Sequence, residues 1–221
     1  MPGRPIERIA SFLSSSTAIY YGTGLSPSVN NLTFSYSERS ILNALSLQTL
    51  PGERILIVGP NGSGKTTLAN ILSGYLAPSH GSVVLPERIS SITLPIVFPA
   101  LKVKELAIDR SLLSSFGLQN QAVLEAFADE LSAGQQQKVA IALALSREAD
   151  LYIIDEPLAC LDQESRKTVI NVIFDRTKGK TLILIMHDSL EERRALFDRV
   201  INISHAPDFT ESFIAYDSRG V

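Results

Sequence analysis

The sequence predicts an α/β fold built on a mostly parallel sheet, with an antiparallel β subdomain and a small helical subdomain attached. Three observations point there. Apolar, β-branched runs at Arg54–Val58, residues 151–154 and Thr181–Met186 read as buried strands. Stretches with apolar residues at helical spacing follow them at 66–72, 163–177 and 190–197. Gly59, Asp155 and His187 fall at the ends of these runs, where open α/β sheets bind their ligands.

The 221 residues suit one α/β domain with a sizeable core. A hydrophobic fraction of 45% argues against disorder. Net charge is −3, and no direct nucleic-acid partner is expected from it. Cys160 is the single cysteine, which excludes an intrachain disulfide and a Cys-rich metal site and suits a reducing compartment. No run approaches the ~18–20 apolar residues of a membrane helix, so work at a membrane would need another chain to cross it.

Taken in order, residues 1–28 read as a loose N-terminal extension. Its Ser-rich stretch behind Arg4 and Arg8 also has the composition of an organelle transit peptide. Residues 29–34 and 41–49 read as strands, and Pro51-Gly52-Glu53 as the turn into the next one. Gly74 ends the helix over 66–72. Short strands are expected at 82–85 and 89–93. Pro95 and Pro99 then break the chain, and 102–108, 111–116 and 121–130 read as short helices with no strand among them. Ser132 is a good N-cap for a strong helix over 133–147, which completes a helical insertion at about 95–147. Strands at 200–203 and 212–216 close a domain expected to span 29–221.

The chemistry is concentrated in Gly59-Pro60-Asn61-Gly62-Ser63-Gly64-Lys65-Thr66-Thr67. This stretch matches G-x-x-x-x-G-K-[ST] and lies between a strand and a helix, as a phosphate-binding loop must. Glycines let successive backbone N–H groups turn inward on phosphate oxygens, and the following helix aims the positive end of its dipole at the same anion. Lys65 can then reach the β- and γ-phosphates, and the Thr66 hydroxyl can ligate Mg²⁺. Asp155 can hold the same ion, and Glu156 can polarise the water that attacks the γ-phosphorus. His187 can hydrogen-bond that phosphate or water. Tyr36 is either a core aromatic or a platform for a nucleobase.

The order of these pieces resembles the ATP-binding cassette (ABC) family of P-loop NTPases over about residues 29–216. Gly59–Thr66 resembles its Walker A motif and 151–156 its Walker B motif with the catalytic glutamate, Glu156. Leu131-Ser132-Ala133-Gly134-Gln135 resembles the LSGGQ signature with one Gly→Ala change, and it is the most specific of the matches. Ala159-Cys160-Leu161-Asp162 resembles the D-loop, with Asp162 as its acid. His187 stands where the family has its switch histidine, and Tyr36 where it has an adenine-stacking aromatic. The resemblance implies an ATPase that uses ATP and Mg²⁺ and pairs with a second cassette, as homo- or heterodimer. Each ATP then lies between the Walker A of one subunit and the signature of the other. It also implies a cytoplasmic location, on the inner face of a membrane through a transmembrane transporter subunit.

The sequence departs from the family pattern in several places. No glutamine lies between Gln48 and Gln119, so the glutamine that helps ligate Mg²⁺ in the family is replaced by Thr93 or Leu94. Leu143 also replaces an arginine common in the signature helix. Two alternatives therefore stand beside the transporter ATPase: a soluble ABC ATPase without a membrane partner, and a regulatory cassette with weak hydrolysis.

Overall fold

The computed structural model describes residues 17–37, 39–187, 191–205 and 212–217. The strands are β1 (Thr17–Gly22), β2 (Ser28–Tyr36), β3 (Arg39–Gln48), β4 (Arg54–Val58), β5 (His80–Pro86), β6 (Ile89–Ile92), β7 (Leu151–Asp155), β8 (Thr181–Met186), β9 (Arg199–His205) and β10 (Ser212–Asp217). The helices are α1 (Lys65–Leu72), α2 (Arg110–Ser115), α3 (Gln121–Glu125), α4 (Ala133–Leu145) and α5 (Gln163–Arg176). One sheet runs β10-β9-β4-β8-β7-β6 and is parallel from β9 to β6, with β10 antiparallel at its edge. The other runs β1-β5-β2-β3, with β2 antiparallel to both of its neighbours.

Side chains alternate across the parallel sheet, and both faces are apolar because both are covered. Ile55 and Ile57 of β4, Ile183 and Ile185 of β8 and Ile153 of β7 share one core with Leu68, Ile71 and Leu72 of α1. Leu32, Leu42 and Leu45 of the second sheet join that core, so α1 is packed between the two sheets. Leu56, Leu184 and Ile154 face the other way, toward Val139 and Ile141 of α4 and Val169 and Ile173 of α5. This two-sided burial explains why the runs 54–58, 151–154 and 181–186 are continuously apolar rather than alternating.

Several boundaries differ from expectation. The loose extension over 1–28 does not hold from residue 17 onward, because β1 pairs in parallel with β5, Thr17 opposite Gly81. The Ser-rich stretch before it lies outside the described residues. The helix expected over 102–108 is only a 3-10 turn, Val103–Glu105. The Val103 N–H donates to the Ala126 carbonyl, and Lys102 forms an isolated bridge with Phe127. These partners draw the backbone out of helical geometry, and the same contacts split 121–130 into α3 and a 3-10 turn at Ala128–Glu130. Over 190–197 the expected helix is a 3-10 segment, Glu191–Leu196, with residue 190 outside the described set.

Candidate functional site

Strand order decides what meets at the site. β4 lies beside β8, β8 beside β7, and β7 beside β6, all in parallel. The loop after β4, His187 after β8, Glu156 after β7 and Leu94 after β6 therefore emerge on one side of the sheet. They line a cleft of about 260 Å³, with Lys65, Thr66 and Thr67 on one wall and Glu156, His187 and Leu94 among the others. Asn61, Gly62 and Gly64 complete the loop wall, and Arg39 and Ile41 of β3 close the side toward the antiparallel sheet. Sequence reasoning had no signal for Arg39 or Ile41, since only the packing of the second sheet brings β3 to the loop.

Glycine is required at two loop positions on steric grounds. A Cβ on Gly59 would overlap the Ile203 carbonyl oxygen of β9, and one on Gly64 would stand 2.7 Å from Leu42 Cδ2, at φ +94°. Pro60 and Asn61 form the exposed crest of the loop. The Ser63 hydroxyl is sealed from solvent without a hydrogen-bond partner. No side chain caps the N-terminus of α1, and its first turn carries no acid. That helix end is thus left to an anion, toward which its dipole is favourable. Lys65 is buried and folded over the loop, with Nζ donating to the carbonyls of Gly59 at 2.7 Å and Pro60 at 3.0 Å. Burial lowers its pKa, while the carboxylates of Glu156 and Asp155 pull it back up.

Asp155 is fully buried at the last position of β7. Neither carboxylate oxygen has a hydrogen bond of good geometry, although the Thr66 side chain and the Leu94 N–H face the group. Burial raises its pKa, and Thr66, Lys65, His187 and the Leu94 N–H oppose that rise. A buried carboxylate short of partners, next to a hydroxyl and an anion-binding loop, suits a hard divalent cation with oxygen ligands. Among the described residues no cluster of three or more His, Cys, Asp or Glu could hold a metal by itself. Thr66 and Asp155 would therefore share such an ion with phosphate oxygens and water, as Mg²⁺ prefers.

Glu156 follows with a left-handed backbone, φ +51°, unusual for a residue with a Cβ. Its N–H donates to the Ile185 carbonyl at 2.9 Å. Oε1 lies 3.4 Å from His187 Nε2, so two residues distant in sequence form one polar pair. Gln137 of α4, which sequence reasoning did not single out, is buried and donates through Nε2 to the Glu156 carbonyl at 3.2 Å. The signal was a glutamine one helical turn before the core residue Ile141.

The remaining candidates lie outside this cleft. Tyr36 ends β2, half exposed, its ring edge-on to Phe34 at 4.9 Å, and it pairs in register with Arg39, which does line the cleft. Ser132 caps α4 reciprocally with Gln135: the Gln135 N–H donates to Ser132 Oγ, and the Ser132 N–H donates to Gln135 Oε1 at 3.1 Å. Ala133 and Gly134 open that helix, and a Cβ on Gly134 would stand 3.0 Å from the Cys160 carbonyl oxygen. Asp162 caps α5 through Ser165, whose N–H and hydroxyl hold its pKa down. Thr93 lines a different groove, of about 640 Å³, between residues 90–107 and α4; Leu94 alone of the two faces the phosphate loop.

Comparison with known proteins agrees with this geometry. A family model described as ABC transporter matches residues 42–159, from β3 through the turn that follows Glu156. A taurine import ATP-binding protein, TauB of Roseobacter denitrificans, is 34% identical over 218 residues, covering 84% of this chain and 79% of the relative. An aliphatic sulfonates import ATP-binding protein of Rhodococcus jostii is 30% identical, covering 90% and 78%. A zinc import ATP-binding protein, ZnuC of a Wolbachia species, is 29% identical, covering 80% and 79%. Among solved structures, a bacterial Atm1-family ABC exporter with ATP bound superposes with a TM-score of 0.72 at 20% identity. The match covers 89% of this chain and 41% of the exporter chain, and it speaks to the fold.

Proposed function

This chain belongs to the ABC transporter family, and we propose on that basis that it is the ATP-binding and ATP-hydrolysing subunit that powers a separate transmembrane partner. The observation that carries the reading is the cleft itself. It combines an uncapped helix end, a buried lysine and a Glu156–His187 pair, while the Ser132 segment lies outside it. Lys65 and the loop N–H groups bind the triphosphate. Thr66 and Asp155 would hold Mg²⁺, whose charge would offset that of the phosphate oxygens. Glu156 orients the attacking water and accepts its proton, and His187 steadies Glu156 and the γ-phosphate from the β8 side. Arg39 lines the cleft, and Tyr36, its register partner, would offer its ring to the nucleobase there.

The Ser132–Gln135 segment has no role inside its own cleft. We assign it to the ATP of a second cassette, so the working unit is a dimer with each nucleotide between two chains. Asp162 is placed at the same interface, because Gly134 packs directly on the turn that leads to it. No helix among the described residues is long and apolar enough to cross a membrane. The groove that includes Thr93, Phe98, Leu101 and Leu143, with Val97 84% exposed at its rim, is the natural seat for a membrane-spanning partner. With that partner attached, the chain sits on the cytoplasmic face of the membrane. Size-exclusion of Glu156→Gln tests the reading: it should run as a dimer with Mg-ATP and as a monomer with ADP. A monomer under both conditions would count against the shared-nucleotide arrangement.

A further inference from the structure

We infer that Gln137 is a positioning residue for Glu156, fixing the water-activating carboxylate through its backbone. This inference rests on the ATPase reading above. Gln137 is 4% exposed on α4, among apolar neighbours Val139, Ala140 and Ile141. An amide buried there is costly unless it is hydrogen-bonded. Its Nε2 donates to the Glu156 carbonyl at 3.2 Å.

The residue it holds is in a conformation that ordinary side chains avoid. Glu156 has φ +51°, which persists only where surrounding contacts over-determine it. Contacts do so from opposite sides. The β8 strand takes the Glu156 N–H through the Ile185 carbonyl at 2.9 Å, and the Glu156 C=O accepts from Gln137 Nε2 of α4 and from the Ala159 N–H of the following turn, each at 3.2 Å. The left-handed turn separates two adjacent carboxylates. Asp155 stays buried in the sheet, while Glu156 enters the cleft with Oε1 3.4 Å from His187 Nε2. Removing the Gln137 donor leaves the Glu156 carbonyl with the Ala159 N–H of its own turn and takes away its tie to α4, which lets the turn relax toward a common backbone angle. The carboxylate then leaves its place relative to the attacking water, and misplacement by about 1 Å can cost on the order of 100-fold in rate.

The test is a double-mutant cycle read by single-turnover hydrolysis of radiolabelled ATP in the full chain. Gln137→Met keeps length and volume without the donor, and Gln137→Glu replaces the donor with an acceptor. Each should lower the rate by roughly 10–100-fold in the wild-type background, with ATP affinity and thermal midpoint near wild type. In a Glu156→Gln background the same changes should add little, because the group they position is already disabled. Equal losses in both backgrounds would make Gln137 a structural residue only. No loss in either would remove its role outright. Wild-type turnover in Glu156→Gln itself would instead overturn the assignment of Glu156 as the water-activating carboxylate, on which this inference rests.

Discussion

Lys65 spends its hydrogen bonds on the carbonyls of Gly59 and Pro60, and this keeps a buried cation aimed along the loop proposed to receive phosphate. Lys65→Ala removes that charge and should abolish ATP binding measurable by a fluorescent nucleotide analogue; unchanged affinity would contradict the loop assignment. Leu94 offers the second residue-level experiment. It lines the cleft beside Glu156 and His187 but has no side-chain oxygen for a cation. A Mg²⁺ bound as proposed would keep a water there, so Leu94→Gln should raise turnover or lower the Mg²⁺ concentration for half-maximal rate, whereas Thr93→Gln should do neither. Steady-state ATPase against Mg²⁺ checks both variants. The motif residues were legible in the sequence because a glycine-rich loop between a strand and a helix has few other uses. The choice between Thr93 and Leu94 was not, since a spacing argument cannot say which of two neighbours turns into a cleft. Gln137 and the left-handed backbone of Glu156 were hidden for a similar reason: both are set by contacts between segments remote in sequence.

Among the elements, α2 shows how the helical part is fastened. Asp109 caps it by accepting from the Ser111 N–H at 2.8 Å, and also pairs with Arg176 at the end of α5 at 2.9 Å. Hydrogen bonds from Ser111 and Arg176 hold its carboxyl at about 2, below the ordinary 3.8. A carboxyl whose pKa is lower in the folded state stabilises fully above 3.8 and loses that contribution as pH falls to about 2. The pair is exposed, so the effect is small and weakened by salt. Asp109→Asn keeps the cap and removes the charge. Its urea midpoint should lie slightly below wild type near pH 6, and the gap should close toward pH 2; a gap that persists undiminished there would contradict the assignment. The long apolar strands and the helices of α1, α4 and α5 were legible because burial on both sheet faces and helical periodicity leave strong patterns. Residues 102–108 were misread because the Val103 and Lys102 bonds to Ala126 and Phe127 outweigh local helical preference. β1 was missed because its pairing partner, β5, lies far along the chain and its own residues carry little alternation.

At the scale of the whole molecule, the proposed dimer would make this chain half of a machine. Its cleft gathers Lys65, Thr66, Glu156 and His187 on one side of the parallel sheet, while the N-terminus of α4 with Ser132 lies outside it. The parallel sheet positions the first set with little adjustment, because adjacent strand ends are only ~5 Å apart. The overall α/β class and the site at the strand ends were legible in the sequence, whereas the placement of the antiparallel sheet against α1 emerged only from packing. Core damage should therefore spread to the site: Ile57→Ala, under the phosphate loop and between the two sheets, should cost roughly 2–5 kcal/mol in denaturant unfolding. The claim that ATP is hydrolysed here by a carboxylate-activated water is tested most directly by the steady-state ATPase of wild type and Glu156→Gln, measured with ATP binding. Turnover should fall on the order of 10²–10⁴-fold while ATP binding survives, because Lys65 and the loop are untouched. Wild-type turnover in Glu156→Gln would contradict the account.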